Sequence, residues 1–184
     1  METIRKLFDP SKPIERRIEK VITYETTDTE LLRQEIQEYV VTESIEGNFE
    51  RLLDLLDDGM GGGENREIGV WVSGFYGSGK SSFTKYLGFA LDRSREIDAI
   101  PFLKWLQNQC TSQTLRARLA TVAQKHPVTV IMLDLAASAL TGASQEKISN
   151  TLYYTVMQWA GYSRDKKIAY LEFMLKRDGK MEEF

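Results

Sequence analysis

The chain has 184 residues, 42% of them hydrophobic and 28% charged, with a net charge of −3 and a single cysteine, Cys110. These values fit one soluble globular domain, with or without an appendage, and they exclude collagen-like, mucin-like and wholly disordered chains. One cysteine excludes an internal disulfide framework, and no apolar run nears the roughly 20 residues that span a bilayer. No apolar region follows the basic residues of 1–6, so no signal peptide is visible and the expected compartment is the cytoplasm.

The small total charge hides a division. Residues 1–20 carry +2, residues 21–67 carry −10 and residues 68–184 carry +5. A strong nucleic-acid footprint needs clustered Lys and Arg on one face, which this chain lacks, although weak or partner-assisted DNA contact stays open.

In chain order, Asp9-Pro10-Ser11-Lys12-Pro13 reads as a turn, and residues 20–25 as a short strand. Thr27 stands three residues before Glu30, a capping-box pattern. Leu31, Leu32, Ile36, Tyr39, Val40, Ile45, Phe49, Leu52, Leu53 and Leu56 follow at 3–4 spacing. That spacing predicts two amphipathic helices, broken around 41–43 or 46–48. The acidic residues fall off this stripe, which makes them a solvated face; a partner-binding face is the alternative. Residues 1–58 thus form a mostly helical N-terminal segment. Gly61-Gly62-Gly63 cannot sit in a helix or central strand, so 59–67 reads as a linker.

Beyond it, Ile68–Ser73 and Val128–Leu133 are continuous apolar, β-rich runs and predict two buried strands. Helices are expected over 80–91, from Pro101 through Leu106, over 112–125, 144–159 and 164–177. Buried strands alternating with helices predict an α/β fold with a parallel sheet, residues 68–184 being the first part of a nucleotide-binding domain.

Gly74-Phe75-Tyr76-Gly77-Ser78-Gly79-Lys80-Ser81 matches G-x-x-x-x-G-K-[ST], the Walker A phosphate-binding loop. Gly74, Gly77 and Gly79 allow tight turns and close approach of phosphate oxygens. Successive amides, those of Tyr76 and Ser78 among them, then form an anion nest, reinforced by the N-terminus of the following helix. Lys80 is the expected catalytic charge on the β- and γ-phosphates, Ser81 the Mg²⁺ ligand, and Ser82 a donor to the α-phosphate. ATP and Mg²⁺ are the expected cofactors. Asp134 closes the second apolar run and is a candidate Mg²⁺-site acid, but Leu135, Ala136 and Ala137 follow it in place of a water-orienting glutamate.

Other candidates read as structural. His126 precedes Pro127 and suits a cap, Cys110 a small buried thiol, and Trp71, Trp105 and Trp159 core positions. Arg164, Lys166 and Lys167 suit a solvated helix start. An arginine finger would come from Arg93, Arg95, Arg116 or Arg118, and nothing selects one. Two other functions stay open. A small nucleoside or nucleotide kinase would use Asp134 as its base, but no lid with paired arginines is apparent. An assembly module would dock a partner on the acidic helical segment.

Residues 69–81 with Phe83 and Lys85, Glu38–Thr42, and Ile4–Phe8 with Pro13-Ile14 together resemble the P-loop ATPases of BREX phage-defence systems, the BrxC/PglY family. The resemblance is good over 4–91 and looser beyond. It implies the N-terminal portion of a much longer AAA+-like bacterial ATPase. Such an ATPase works beside a methyltransferase, a phosphatase-like protein and small accessory proteins, and forms homo-oligomers when full length. Many relatives carry histidine where this chain has Ser82. Their Asp-Glu acids lie beyond this chain's length, which weakens Asp134 and implies poor ATP–Mg²⁺ binding and negligible hydrolysis by residues 1–184 alone.

Overall fold

A computed structural model describes residue 6 and residues 28–61, 69–133, 148–163 and 165–181. The expected strand at 20–25, Ile68, Asp134 and Arg164 lie outside these residues.

Helix α1 spans Thr29–Glu38 and buries Leu32 and Ile36, one turn apart on one face. Its N-cap is Asp28, whose carboxylate accepts from the Leu31 N–H at 3.1 Å, one residue after the predicted Thr27. Helix α2 spans Glu43–Met60, capped by Thr42, and buries Glu46, Phe49 and Leu53. The break between them falls at the first of the two expected positions. Helix α2 runs two residues into the glycine-rich stretch before Gly61 closes it, its N–H donating to the Asp57 carbonyl at 2.9 Å.

Helix α3 spans Lys80–Leu91, as the periodicity predicts. A two-residue hairpin follows, β1 at Glu96–Ile97 and β2 at Ile100–Pro101, paired antiparallel. Its turn residues Asp98 and Ala99 both have positive φ, 54° and 60°, and Arg33 of α1 holds the Asp98 carboxylate at 3.2 Å. Helix α4, Phe102–Gln109, starts directly after Pro101. Helix α5, Gln113–Lys125, is capped by the Ser112 hydroxyl, which accepts from the Leu115 N–H at 3.1 Å. Helices α6, Ile148–Trp159, and α7, Lys166–Arg177, pack on each other through the turn at Gly161 (φ 89°). The Asp165 carboxylate caps α7 through the Lys167 and Ile168 N–H groups.

Helices α1 to α5 share one core. Phe49 of α2 stacks on Phe83 of α3 at 4.4 Å, Tyr39 meets Tyr86 edge-on at 4.7 Å, and Phe102 of α4 lies against Phe89 at 5.5 Å. Leu106, Leu115, Leu119 and Val122 fill the remainder and are fully buried. The glycine stretch therefore separates two lengths of chain that close over the same core.

The parallel-sheet α/β architecture expected from the sequence is not what the chain adopts. Among the described residues the structure is mostly helical and its sheet is the antiparallel β1–β2 hairpin. Residues 69–73 lead into the phosphate-loop region in no regular element and are exposed, Trp71 at 90%. The second apolar run makes one isolated parallel bridge, Val128 to Asp92, and then crosses α3. Gly88 permits that crossing. A Cβ there would meet Val130 Cγ1 at 3.1 Å and the Met132 methyl more closely still. A continuous apolar run reports that a segment avoids water; it does not report whether a β-ladder or a helix surface covers it. Here Val128 and Met132 pack on the helical core.

Candidate phosphate-binding loop

The loop 74–79 leads into α3, and its backbone takes the shape the glycines predict. Gly77 and Gly79 have φ of 78° and 82°, the left-handed region that a residue with a Cβ enters only at a cost. Nothing lies within 4 Å of where a Cβ would sit on either. Gly74 is constrained differently. A Cβ there would lie 2.8 Å from the Ser78 hydroxyl. The Ser78 N–H donates to the Phe75 carbonyl at 3.2 Å, which closes the turn.

Gly79 is the N-cap of α3 and supplies no side chain to cap it. The first helical bond runs from the Phe83 N–H to the Gly79 carbonyl at 2.9 Å. The N–H groups of Lys80, Ser81 and Ser82 therefore have no place in the helical ladder and point along the axis toward the loop. Lys80 folds back over them, its Nζ donating to the carbonyls of Gly74 at 3.0 Å and Phe75 at 2.7 Å. Ser81 is exposed and Ser82 half-buried, on neighbouring positions of the first turn. Phe75 and Tyr76 project into solvent, Tyr76 at 99% exposure. All eight predicted loop residues thus lie on one turn-and-helix unit.

This donor set fits a phosphate chain: axial N–H groups, an ammonium within reach and no carboxylate inside the loop. For Mg²⁺ it offers one protein ligand, the Ser81 hydroxyl. Among the described residues no three His, Cys, Asp or Glu side chains gather as a metal site.

The remaining candidates have structural partners. His126 is the C-cap of α5, and its Nε2 lies 2.7 Å from Asp57 Oδ1. Arg93 donates to the Ala123 and Gln124 carbonyls at the end of α5. Arg116 donates to the Cys110 carbonyl, and Arg118 to Asp54 at 2.7 Å. Arg95 lies over the Phe89 ring at 4.7 Å. Cys110 is buried, and burial pushes its thiol up to about 11. Two tryptophans depart from the expected core role: Trp71 and Trp159 are both exposed.

Sequence reasoning missed the ionic links between the helices. Lys85, on α3, is fully buried, and its Nζ meets Glu35 Oε2 of α1 at 2.9 Å. Tyr86 and Phe89 present their rings to the same ammonium at 6.0 and 5.8 Å. Glu46 of α2 is buried and accepts from the Ser112 N–H at 3.0 Å and from the N–H and hydroxyl of Thr111. The Ser112 and Thr111 amides hold its carboxyl below the usual range. Asp57 accepts from Lys125 at 2.6 Å and from His126, which hold its carboxyl at about 2. The acidic residues of α1 and α2 are thus in part an internal binding face for α3 and α5. One signal was available: Glu46 shares the i, i+3, i+7 line of Phe49 and Leu53.

No family model and no solved structure matches this chain. No helix among the described residues is long and apolar enough to cross a membrane.

Proposed function

We propose that residues 74–82 bind the triphosphate of ATP, and that the chain is the N-terminal portion of a BREX-type anti-phage ATPase. The observation that carries this is the loop itself. Two left-handed glycines turn the chain onto an uncapped helix N-terminus over which Lys80 is folded. Lys80 exchanges two carbonyl acceptors for phosphate oxygens, whose full charge makes stronger hydrogen bonds. The N–H groups of Gly79 to Ser82 donate along the helix axis, where the macrodipole favours negative charge. Ser81 Oγ ligates Mg²⁺. ATP, when bound, supplies the transferable phosphoryl group.

The resemblance over residues 4–91 supports the family reading. With it come the proposed partners: a methyltransferase, a phosphatase-like protein, accessory proteins and further copies of the full-length protein. The proposed setting is the bacterial cytoplasm. The apolar faces of α1 and α2 are covered by α3 to α5, so a partner docking on this segment would use its acidic face.

The test is an amide NMR titration of the 184-residue chain with tripolyphosphate and with ATP–Mg²⁺. Shifts at Gly77, Gly79 and Lys80 that saturate in the millimolar range and vanish in Lys80→Ala are expected, with ATP turnover at background. Unmoved loop amides, or equal binding by Lys80→Ala, would overturn the reading.

A further inference from the structure

We infer that the buried Glu35–Lys85 pair is a positioning device: it locks α3 against α1 and so sets the geometry of the phosphate loop at the head of α3. The inference rests on the phosphate-binding reading above. The loop has two attachments. On its N-terminal side residues 69–73 are exposed and, among the described residues, lie in no sheet. The restraint therefore comes from α3.

Most of what holds α3 is apolar. The Phe49–Phe83 stack and the Tyr39–Tyr86 edge contact resist separation but tolerate small rotations, because dispersion is not directional. The ion pair is different. Lys85 has no exposure, and its ammonium must stay within hydrogen-bond reach of Glu35 or stand charged and unpaired in the core. A buried ion pair contributes little net stability beside an apolar pair of similar volume, and its best-attested use is to fix register. Lys85 also lies one turn from Ser81 on the same face of α3, so a rotation that breaks the pair swings the Ser81 hydroxyl through the same angle. Positioning by residues that never touch a ligand is worth large factors in binding and rate, since small displacements of donors matter.

The experiment compares the wild-type chain with Glu35→Gln/Lys85→Met, which keeps the volume and removes both charges, and with Glu35→Asp, which keeps both charges and shortens the reach. Two readouts are taken: the Gly77 and Gly79 amide shifts without ligand, and the tripolyphosphate affinity. The double variant should keep a cooperative melt near the wild-type temperature. Its loop amides should shift, and its affinity should fall about fivefold or more. Glu35→Asp should move the same amides in the same direction by less, and it carries the test if the double variant does not fold. Wild-type loop shifts and wild-type affinity in a folded variant overturn the inference. If the wild-type chain does not titrate, the phosphate-binding reading falls, and the ligand-free loop shifts still decide whether the pair sets the loop.

Discussion

Helices α1–α5 and the α6–α7 hairpin handle charge in opposite ways. In the first region carboxylates are drawn inward or across helix seams: Glu35 to Lys85, Glu46 to the α5 N-terminus, Asp54 and Asp57 to Arg118, Lys125 and His126. In the second, α6 carries no charged residue at all and yet exposes Ile148, Leu152, Val156 and Trp159 along one face. Polarity therefore does not track exposure here. What separates the regions is whether an element finds a complementary neighbour.

The difference can be broken from its strongest side. Phe49 is fully buried in a stacked pair, so Phe49→Ala should cost about 4 kcal/mol in urea unfolding. Glu35→Ala strands the buried Lys85 ammonium and should cost about 3 kcal/mol by the same measurement. Restoration by a further Lys85→Met would show that the loss comes from the unpaired charge. Glu46→Ala leaves the α5 N-terminal amides without their acceptor and should cost about 2 kcal/mol.

A smaller effect is expected from pH. Asp57 titrates at about 2 in the folded chain against 3.8 normally, so its contribution is present above pH 3.8 and is lost as pH falls through 2. Acid unfolding between about pH 4 and 2 should be shallower in Asp57→Asn, monitored by circular dichroism. On the hairpin, Leu152→Ala should change stability by no more than about 0.5 kcal/mol. A loss as large as that of Phe49→Ala would show that the α6 face is covered and would erase the contrast.

The helices were legible in the sequence because their signals are local. The 3–4 spacing from Leu31 to Leu56 and the stretch from Lys80 to Leu91 each carry their own period, and the loop's special φ angles follow from where glycine stands. The sheet was misread because Ile68–Ser73 and Val128–Leu133 are apolar without periodicity, and a strand exists only where another strand supplies its hydrogen bonds. Glu35, Glu46 and Lys85 escaped for a related reason. Their partners lie 50 to 66 residues away, and nothing local distinguishes a carboxylate bound for the core from one bound for water. Lys85 gave a partial hint, set among Tyr86, Leu87 and Phe89 on a helix that is otherwise apolar there.

The long reach of those contacts bears on the order in which the molecule is made. Helices α1 and α2 leave the ribosome before α3 to α5, and Lys85, Thr111, Ser112 and His126 emerge 50 to 69 residues after the side chains they secure. Until α3 to α5 emerge, Leu32, Ile36, Phe49 and Leu53 have no partners from them. On a ribosome adding about 5–20 residues per second, that interval lasts seconds, long enough for a chaperone to compete for the same apolar stripe. Helices α1 and α2 are therefore made well before they are secured.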